Sequence, residues 1–168
     1  MRVTSRTRRS HTVIDSPLGP LTAVAEDGAI TGLYLDRQRH RPDDGSFGSP
    51  DDSDLAALAE QLDAYFAGDR TDFDLPIRAA GTPWQQLVWG CLCEIPYGQT
   101  MTYAEVAAAI GRPGAARAVG AANGRNPVSI VVPCHRVVAA GGSLGGYGGG
   151  LERKLWLLDH ERRHALAP

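Results

Sequence analysis

With 168 residues, 43% of them hydrophobic and 21% charged, the chain has the composition of an ordinary soluble protein, long enough to bury a core as one domain or two small ones. A net charge of −2 does not by itself advertise nucleic-acid binding, and no apolar stretch is long enough to cross a bilayer. The arginine-rich start, Met1 to Ser10, has no hydrophobic region after it and is therefore no secretory signal, which predicts a cytoplasmic address and no membrane partner.

In chain order, residues 1–10 read as a flexible N-terminus. His11 to Asp15, Leu21 to Ala25 and Ala29 to Leu35 are short β-prone runs. Ser16-Pro17-Leu18-Gly19-Pro20 and Glu26-Asp27-Gly28 punctuate them as turns, the pattern of a small antiparallel sheet. From Arg39 to Ser53 the composition shifts to Asp, Gly, Pro and Ser, which predicts a mobile loop. Asp54 is placed to cap a helix whose stripe is Leu55, Leu58, Leu62 and Phe66, and Gly68 stops it. Phe73 to Ile77 reads as one more strand. Residues 11–78 thus form an N-terminal sheet and helix domain, 79–81 a linker, and 82–168 a second domain.

That second domain is mostly helical. Thr82 caps and Pro83 opens a helix through Glu94, with Trp84, Val88, Leu92 and Ile95 available for packing. Thr102 precedes Glu105 by three residues, a capping box opening a helix through Ile110. The turn Gly111-Arg112-Pro113-Gly114 leads to another helix, Ala115 to Asn123, and helix, short glycine-containing turn, helix is the helix-turn-helix pattern. The second of these helices is nearly all alanine and glycine, so its backbone can approach a partner closely, and Arg117 stands out from its low surface. Arginines recur at Arg112, Arg117, Arg125 and Arg136, with Glu105 the only carboxylate between Ile95 and Leu151, so this half can face a polyanion. Scattered surface arginine and helix packing account for the same residues.

Three cysteines, Cys91, Cys93 and Cys134, cannot all pair, and reduced thiols are expected. Cys91-Leu92-Cys93 lacks the spacer of a zinc half-site and is assigned to helix packing; with no metal-ligand spacing among the histidines, no metal is expected. Pro133-Cys134-His135-Arg136, between the apolar runs Ile130-Val131-Val132 and Val137-Val138, is the candidate reactive segment. A thiol beside an imidazole can be drawn toward the nucleophilic thiolate, although neighbours in an extended segment point to opposite faces. A Gly-rich stretch, Gly141 to Gly150, and a helical run from Leu151 to His160 follow, and Glu161 beyond them can return to orient His135, giving a Cys-His-Glu triad.

Gly114-Ala115-Ala116-Arg117-Ala118-Val119-Gly120, Asn126-Pro127, Ile130 to Val137, and Tyr147-Gly148-Gly149-Gly150-Leu151 with Lys154, Leu157, Leu158 and Glu161 closely resemble the O6-alkylguanine-DNA alkyltransferases. The match covers most of the chain from Pro83 to Glu161; the N-terminal third fits by its elements and by Asp15-Ser16-Pro17-Leu18-Gly19. The resemblance implies an α+β fold with an RNase H-like N-terminal domain and a C-terminal domain carrying a winged helix-turn-helix. It implies irreversible, stoichiometric transfer of the alkyl group from O6-alkylguanine in duplex DNA to Cys134, with His135 as base and Glu161 holding it. It further implies Arg117 as the finger that fills the space left by the extruded base, Tyr103 as an aid to extrusion and purine contact, and Asn126 shaping the turn before the reactive segment. Ala118, Ala121, Arg125 and Arg136 would join Arg117 on DNA, and Val137, Tyr147 and Gly148 would join Tyr103 around the pocket. No cofactor is implied. The partner is double-stranded DNA, met by its minor groove with little sequence specificity, by a monomer able to cluster on DNA.

Gly148 stands where some members carry serine; a backbone N–H contact survives that change, a hydroxyl contact does not. The non-enzymatic relatives replace the acceptor cysteine, which is present here, and the N-terminal zinc of some members has no cysteine before Cys91 to hold it. Two other readings compete: a DNA-binding regulator with an incidental cysteine, and a cysteine hydrolase using Cys134, His135 and Glu161.

Overall fold

The computed structural model of the chain describes residues 6–165, so half of the segment expected to form a flexible N-terminus, residues 1–5, lies outside the described residues. The sheet is antiparallel at its centre: β1 (Arg9–Ile14) pairs with β2 (Leu21–Glu26), and β2 with β3 (Ala29–Leu35). β1 begins within the expected arm, at Arg9. The segment expected to be a mobile loop is tied to this sheet: β4 (Ser49–Pro50) adds in parallel to β1, giving the order β3-β2-β1-β4. Phe47 explains the tie, since its ring is buried and stacks on Tyr34 at 5.6 Å.

Helix α1 (Ala56–Phe66) covers the sheet. Asp54 does not cap it; the cap position is Leu55, with no side-chain bond. Its buried stripe is Leu58, Leu62 and Tyr65, so the stripe ends on Tyr65 and leaves Phe66 at the margin. Gly68, at φ +83, lets Asp69 N reach Ala64 O and its own N reach Tyr65 O, the two bonds of a Schellman stop. Phe73 to Ile77 is not a strand; only Ile77 bridges β3, at Ile30.

Helix α2 (Pro83–Leu92) starts on the capping box Thr82–Gln85 and buries Val88, Trp89 and Leu92. Leu92 enters the core, whereas Cys91 is half-buried and Cys93 is exposed. β5 (Met101–Thr102) runs into α3 (Tyr103–Ala109), whose capping box is Thr102–Glu105. A turn leads to α4 (Ala116–Gly124). Trp84 and Trp89 of α2 donate their indole N–H groups to Ala118 O and Ala122 O, 3.1 and 2.9 Å away, and so fix α4 one turn apart. β6 (Val137–Val138) pairs in parallel with β5, and α5 (Leu151–Ala165) closes the chain, extending past the expected end at His160 to include Glu161.

The two halves share one core. Leu33 of the edge strand β3 bridges Val128, and Leu21, Leu62 and Tyr65 pack into the same cluster as Val88, Leu92, Val119, Val132 and Leu157. No helix of the described residues is long and apolar enough to cross a membrane.

Candidate active site

A knot of short turns delivers Cys134. Val128 N donates to Asn126 Oδ1 at 3.0 Å and Asn126 Nδ2 donates to Val132 O at 2.8 Å, so one buried amide bridges the segment. Inside that bridge Val131 N bonds Ser129 O at 2.8 Å around Ile130, whose φ is +72. Cys134 N then bonds Val132 O at 2.8 Å around Pro133, at φ −82 and ψ 63. These are a γ-turn and an inverse γ-turn. A β-branched residue at positive φ costs on the order of 1–3 kcal/mol. The amide bridge and the full burial of the Ile130 side chain hold it there.

Cys134 to Arg136 form a 3-10 turn instead of extended chain. With three residues per turn, successive side chains fan out rather than alternate. His135 and Arg136 are thereby both free to reach Glu161 on α5. The Glu161 carboxylate accepts four bonds: from Tyr65 Oη at 2.6 Å, His135 Nε2 at 2.7 Å, Arg136 Nε at 2.7 Å and Arg136 Nη2 at 3.1 Å. Burial pushes the Glu161 carboxyl up, but the His135 and Arg136 bonds outweigh it and hold the group well below the usual carboxylate range.

An ionised carboxylate only accepts, so His135 Nε2 carries the proton and Nδ1 is the bare nitrogen. That Nδ1 is buried with no hydrogen-bond partner among the described residues. Burial lowers the His135 pKa against the pull of Glu161, leaving a neutral ring at pH 7. Burial also raises the thiol of Cys134, opposed by Asn126 and by the charge of Lys154. Lys154 is buried too, donating to Val137 O at 2.6 Å and Gly146 O at 3.0 Å, and burial brings its pKa down to about 8. Asn123 Nδ2 donates to Cys134 O at 3.2 Å.

Close by opens a cavity of about 360 Å³, although Cys134, 5% exposed, is not itself among the residues that line it. Tyr103, Asn123, Arg125, Tyr147 and Gly148 line it. Tyr147 joins cavity to thiol: its buried hydroxyl has no hydrogen-bond partner among the described residues, and burial and the neighbouring Cys134 push its pKa well up. Tyr103 reaches Gly146 O only loosely, at 3.4 Å. A Cβ on Gly145, which stands at φ +72, would lie 2.8 Å from the Tyr103 hydroxyl, so glycine keeps that wall close.

Arg117, Ala118, Ala121 and Arg125 lie along one exposed face of α4, while Val119, Ala122 and Asn123 turn inward. Two expected residues are placed differently. Arg136, expected on DNA, is 7% exposed and committed to Glu161 and to Ile95 O at 2.7 Å. Val137, expected in the pocket, is buried in the core and does not line the cavity. Sequence reading missed Tyr65, which α1 brings from the other domain at the helical spacing of Leu58 and Leu62, and gave no role to Lys154. Asn123 was read as the end of α4 and carried no signal of its own. Among the described residues no group of His, Cys, Asp and Glu is arranged to hold a metal ion.

The chain is similar to known proteins over most of its length. The DNA-binding domain of 6-O-methylguanine DNA methyltransferase matches residues 83–163 and its ribonuclease-like domain residues 10–79. A methylated-DNA–protein-cysteine methyltransferase of Mycobacterium tuberculosis is 49% identical over 154 residues, covering 92% of this chain and 93% of that protein. One from Salmonella typhimurium is 44% identical over 158 residues, covering 88% and 92%. The crystal structure of Mycobacterium tuberculosis OGT in complex with DNA superposes with a TM-score of 0.87 at 48% identity, over 92% of this chain and 94% of that one. The chain belongs to the methylated-DNA–protein-cysteine methyltransferase family.

Proposed function

We propose that the chain repairs O6-alkylguanine in duplex DNA by moving the alkyl group once and irreversibly onto Cys134 Sγ. Membership of the family makes it a methyltransferase acting in DNA repair on methylated DNA. The finer reading is carried by one observation: a thiol next in sequence to a neutral imidazole whose proton is locked on Nε2 by a four-bonded carboxylate, close to a cavity walled by two tyrosines.

An alkyl group on guanine O6 lies inside the base stack, out of reach until the nucleotide turns out, at a cost of a few kcal/mol. The small residues Ala118 and Ala121 let α4 approach the minor groove, and Arg117 fills the space vacated by the base. Such binding reads backbone and damage with little preference for sequence. The thiol proton passes to His135 Nδ1, directly or through one water, and the imidazolium is stabilised by Glu161. The positive charge of Lys154 favours the thiolate.

Sγ then forms a bond to the alkyl carbon as the carbon–O6 bond breaks. The electron pair leaves on guanine, where the Tyr103 hydroxyl and the Gly148 N–H meet it. Asn126 keeps the acceptor segment in register throughout. A thioether cannot be reversed by thiol exchange, so each chain acts once. The protein works as a monomer. Its three free cysteines suit a reducing cytoplasm.

The test is incubation with a duplex carrying label on the methyl group of O6-methylguanine, followed by proteolysis and mass analysis. One label per chain on the Cys134 peptide is expected. Label on another residue, or more methyl groups removed than chains present, refutes the reading.

A further inference from the structure

The cavity beside Cys134 is bordered from a second side by cations of the N-terminal domain. After β3 the chain runs Arg37, Gln38, Arg39, His40, and both Arg37 and His40 stand at positive φ, +58 and +63. For residues other than glycine that region is costly, and such strain persists only where the surroundings impose it. The surroundings are on the other domain. Gln38 is buried, and its Oε1 accepts from Ser129 Oγ at 3.0 Å and from Leu35 N at 3.0 Å. Arg39 N donates to Gly148 O at 2.8 Å, on the cavity wall itself.

Pinned in this way, Arg39 and His40 line the same cavity as Tyr103 and Tyr147, together with Arg125 at the end of α4. Among the described residues no carboxylate lines that cavity. Arg39 and Arg125 are exposed, and neither side chain has an ion-pair or hydrogen-bond partner among the described residues. Their neighbours are different: Arg41 pairs with Asp44 at 2.7 Å, and Arg153 donates to Gly149 O at 3.2 Å. A strained loop has thus brought one unneutralised arginine and a histidine to a cavity that a second unneutralised arginine, at the end of α4, also lines, an arrangement that an anion would stabilise.

We propose that Arg39, His40 and Arg125 form a notch for a backbone phosphate of the damaged strand, next to the nucleotide turned out toward Cys134. The proposal rests on the repair reading above. It makes the N-terminal domain a partner in DNA recognition, holding the strand jointly with the end of α4. A phosphodiester presents acceptor oxygens that both guanidinium groups can bond.

The experiment measures affinity for a duplex carrying O6-methylguanine at rising salt, in a Cys134→Ser background that keeps the lesion intact. Loss of one phosphate contact lowers the slope of log K against log salt by about 0.9. Arg39→Gln is expected to show that loss, and Arg37→Gln, on the same loop but off the cavity, to keep the parent slope. Replacing the linkage beside the lesion by an uncharged methylphosphonate is expected to abolish the difference between Arg39→Gln and its parent. Equal slopes for Arg39→Gln and parent, or an equal fall for Arg37→Gln, overturns the notch. So does an undiminished Arg39→Gln effect with each flanking linkage neutralised in turn. Methyl transfer to Cys134 by the unsubstituted chain on the same duplex separates the two failures: without transfer the repair reading falls, and with transfer but no slope change only the notch does.

Discussion

The Tyr65 hydroxyl donates to Glu161 Oε2 at 2.6 Å, so a residue of the N-terminal helix holds the carboxylate that holds His135. The bond is fully buried and joins the two halves of the chain at the carboxylate that orients His135. Tyr65→Phe keeps the ring and removes only this bond. Hydrogen bonds to charged groups contribute about 1.5–3 kcal/mol, and the variant is expected to lose that much in urea unfolding while still accepting one methyl group per chain. A loss below about 0.5 kcal/mol would place the linkage outside the stability of the fold.

Glu161→Gln is more severe. It removes the negative charge, turns one of the two accepting oxygens into an NH2 donor aimed at groups that themselves donate, and leaves Arg136 buried without its counterion, a change that costs about 3–5 kcal/mol. In single-turnover measurements at a temperature where the variant stays folded, the transfer rate is expected to fall by roughly 10²–10⁴, the range of general-base assistance. A folded Glu161→Gln protein with an unchanged rate would show that His135 needs no orienter.

The helices, the capping boxes at Thr82 and Thr102 and the small-residue face of α4 were legible because each depends on neighbours within four residues. Cys134, His135 and Glu161 could be proposed as a triad from their residue types and the helix returning after the Gly-rich stretch, but nothing local says that residues 135 and 161 meet, and their roles came from the resemblance. What escaped was set by tertiary contact. Arg136 looks like any arginine of a basic segment until the 3-10 turn aims it at Glu161. Arg39 and His40 sat in a stretch whose composition says loop, and only Gln38–Ser129 and Arg39–Gly148 bonds turn that loop toward the site. Asp54 failed as a cap although its residue type suits one, because the helix begins a residue later on Leu55.

Acid should destabilise the fold in two stages. His135 has a folded pKa below its ordinary 6.5, chiefly from burial, so below that value the unfolded chain binds a proton that the native one refuses. Glu161 lies well below its ordinary 4.5, because its bonds to His135 and Arg136 outweigh burial, and it repeats the effect at lower pH. In both cases the stabilisation is present above the unfolded value and is lost as pH falls below it. Urea unfolding is expected to give a decline that begins near pH 6.5 and steepens below pH 4.5. Glu161→Gln should lack the second stage; a parent protein equally stable at pH 7 and pH 4 contradicts both assignments.

Asn126→Ala tests the turn that carries the acceptor. The amide accepts from Val128 N and donates to Val132 O, and both groups are buried, so the alanine variant strands the Val128 N–H and leaves Val132 O with the Cys134 N bond alone. The stranded donor costs about 1–3 kcal/mol, and Ile130 also loses the brace for its positive φ. Stability should fall by a few kcal/mol, and alkylation of Cys134 by a small thiol reagent should become faster as the segment opens. Unchanged protection of Cys134 in Asn126→Ala would mean that the γ-turns stand without the amide.

Arg117 is the residue whose removal should distinguish extrusion from chemistry. It is exposed on α4, away from Cys134, His135 and Glu161, and no hydrogen bond or ion pair among the described residues occupies its side chain. If it fills the space of the departed base, Arg117→Ala raises the cost of turning the nucleotide out by a share of the few kcal/mol involved. Transfer from duplex O6-methylguanine is then expected to slow by one to two orders of magnitude, whereas transfer from the same lesion in a single strand, which has no partner base to leave, should slow far less. Equal slowing on both substrates would assign Arg117 to backbone binding and remove it from the extrusion step.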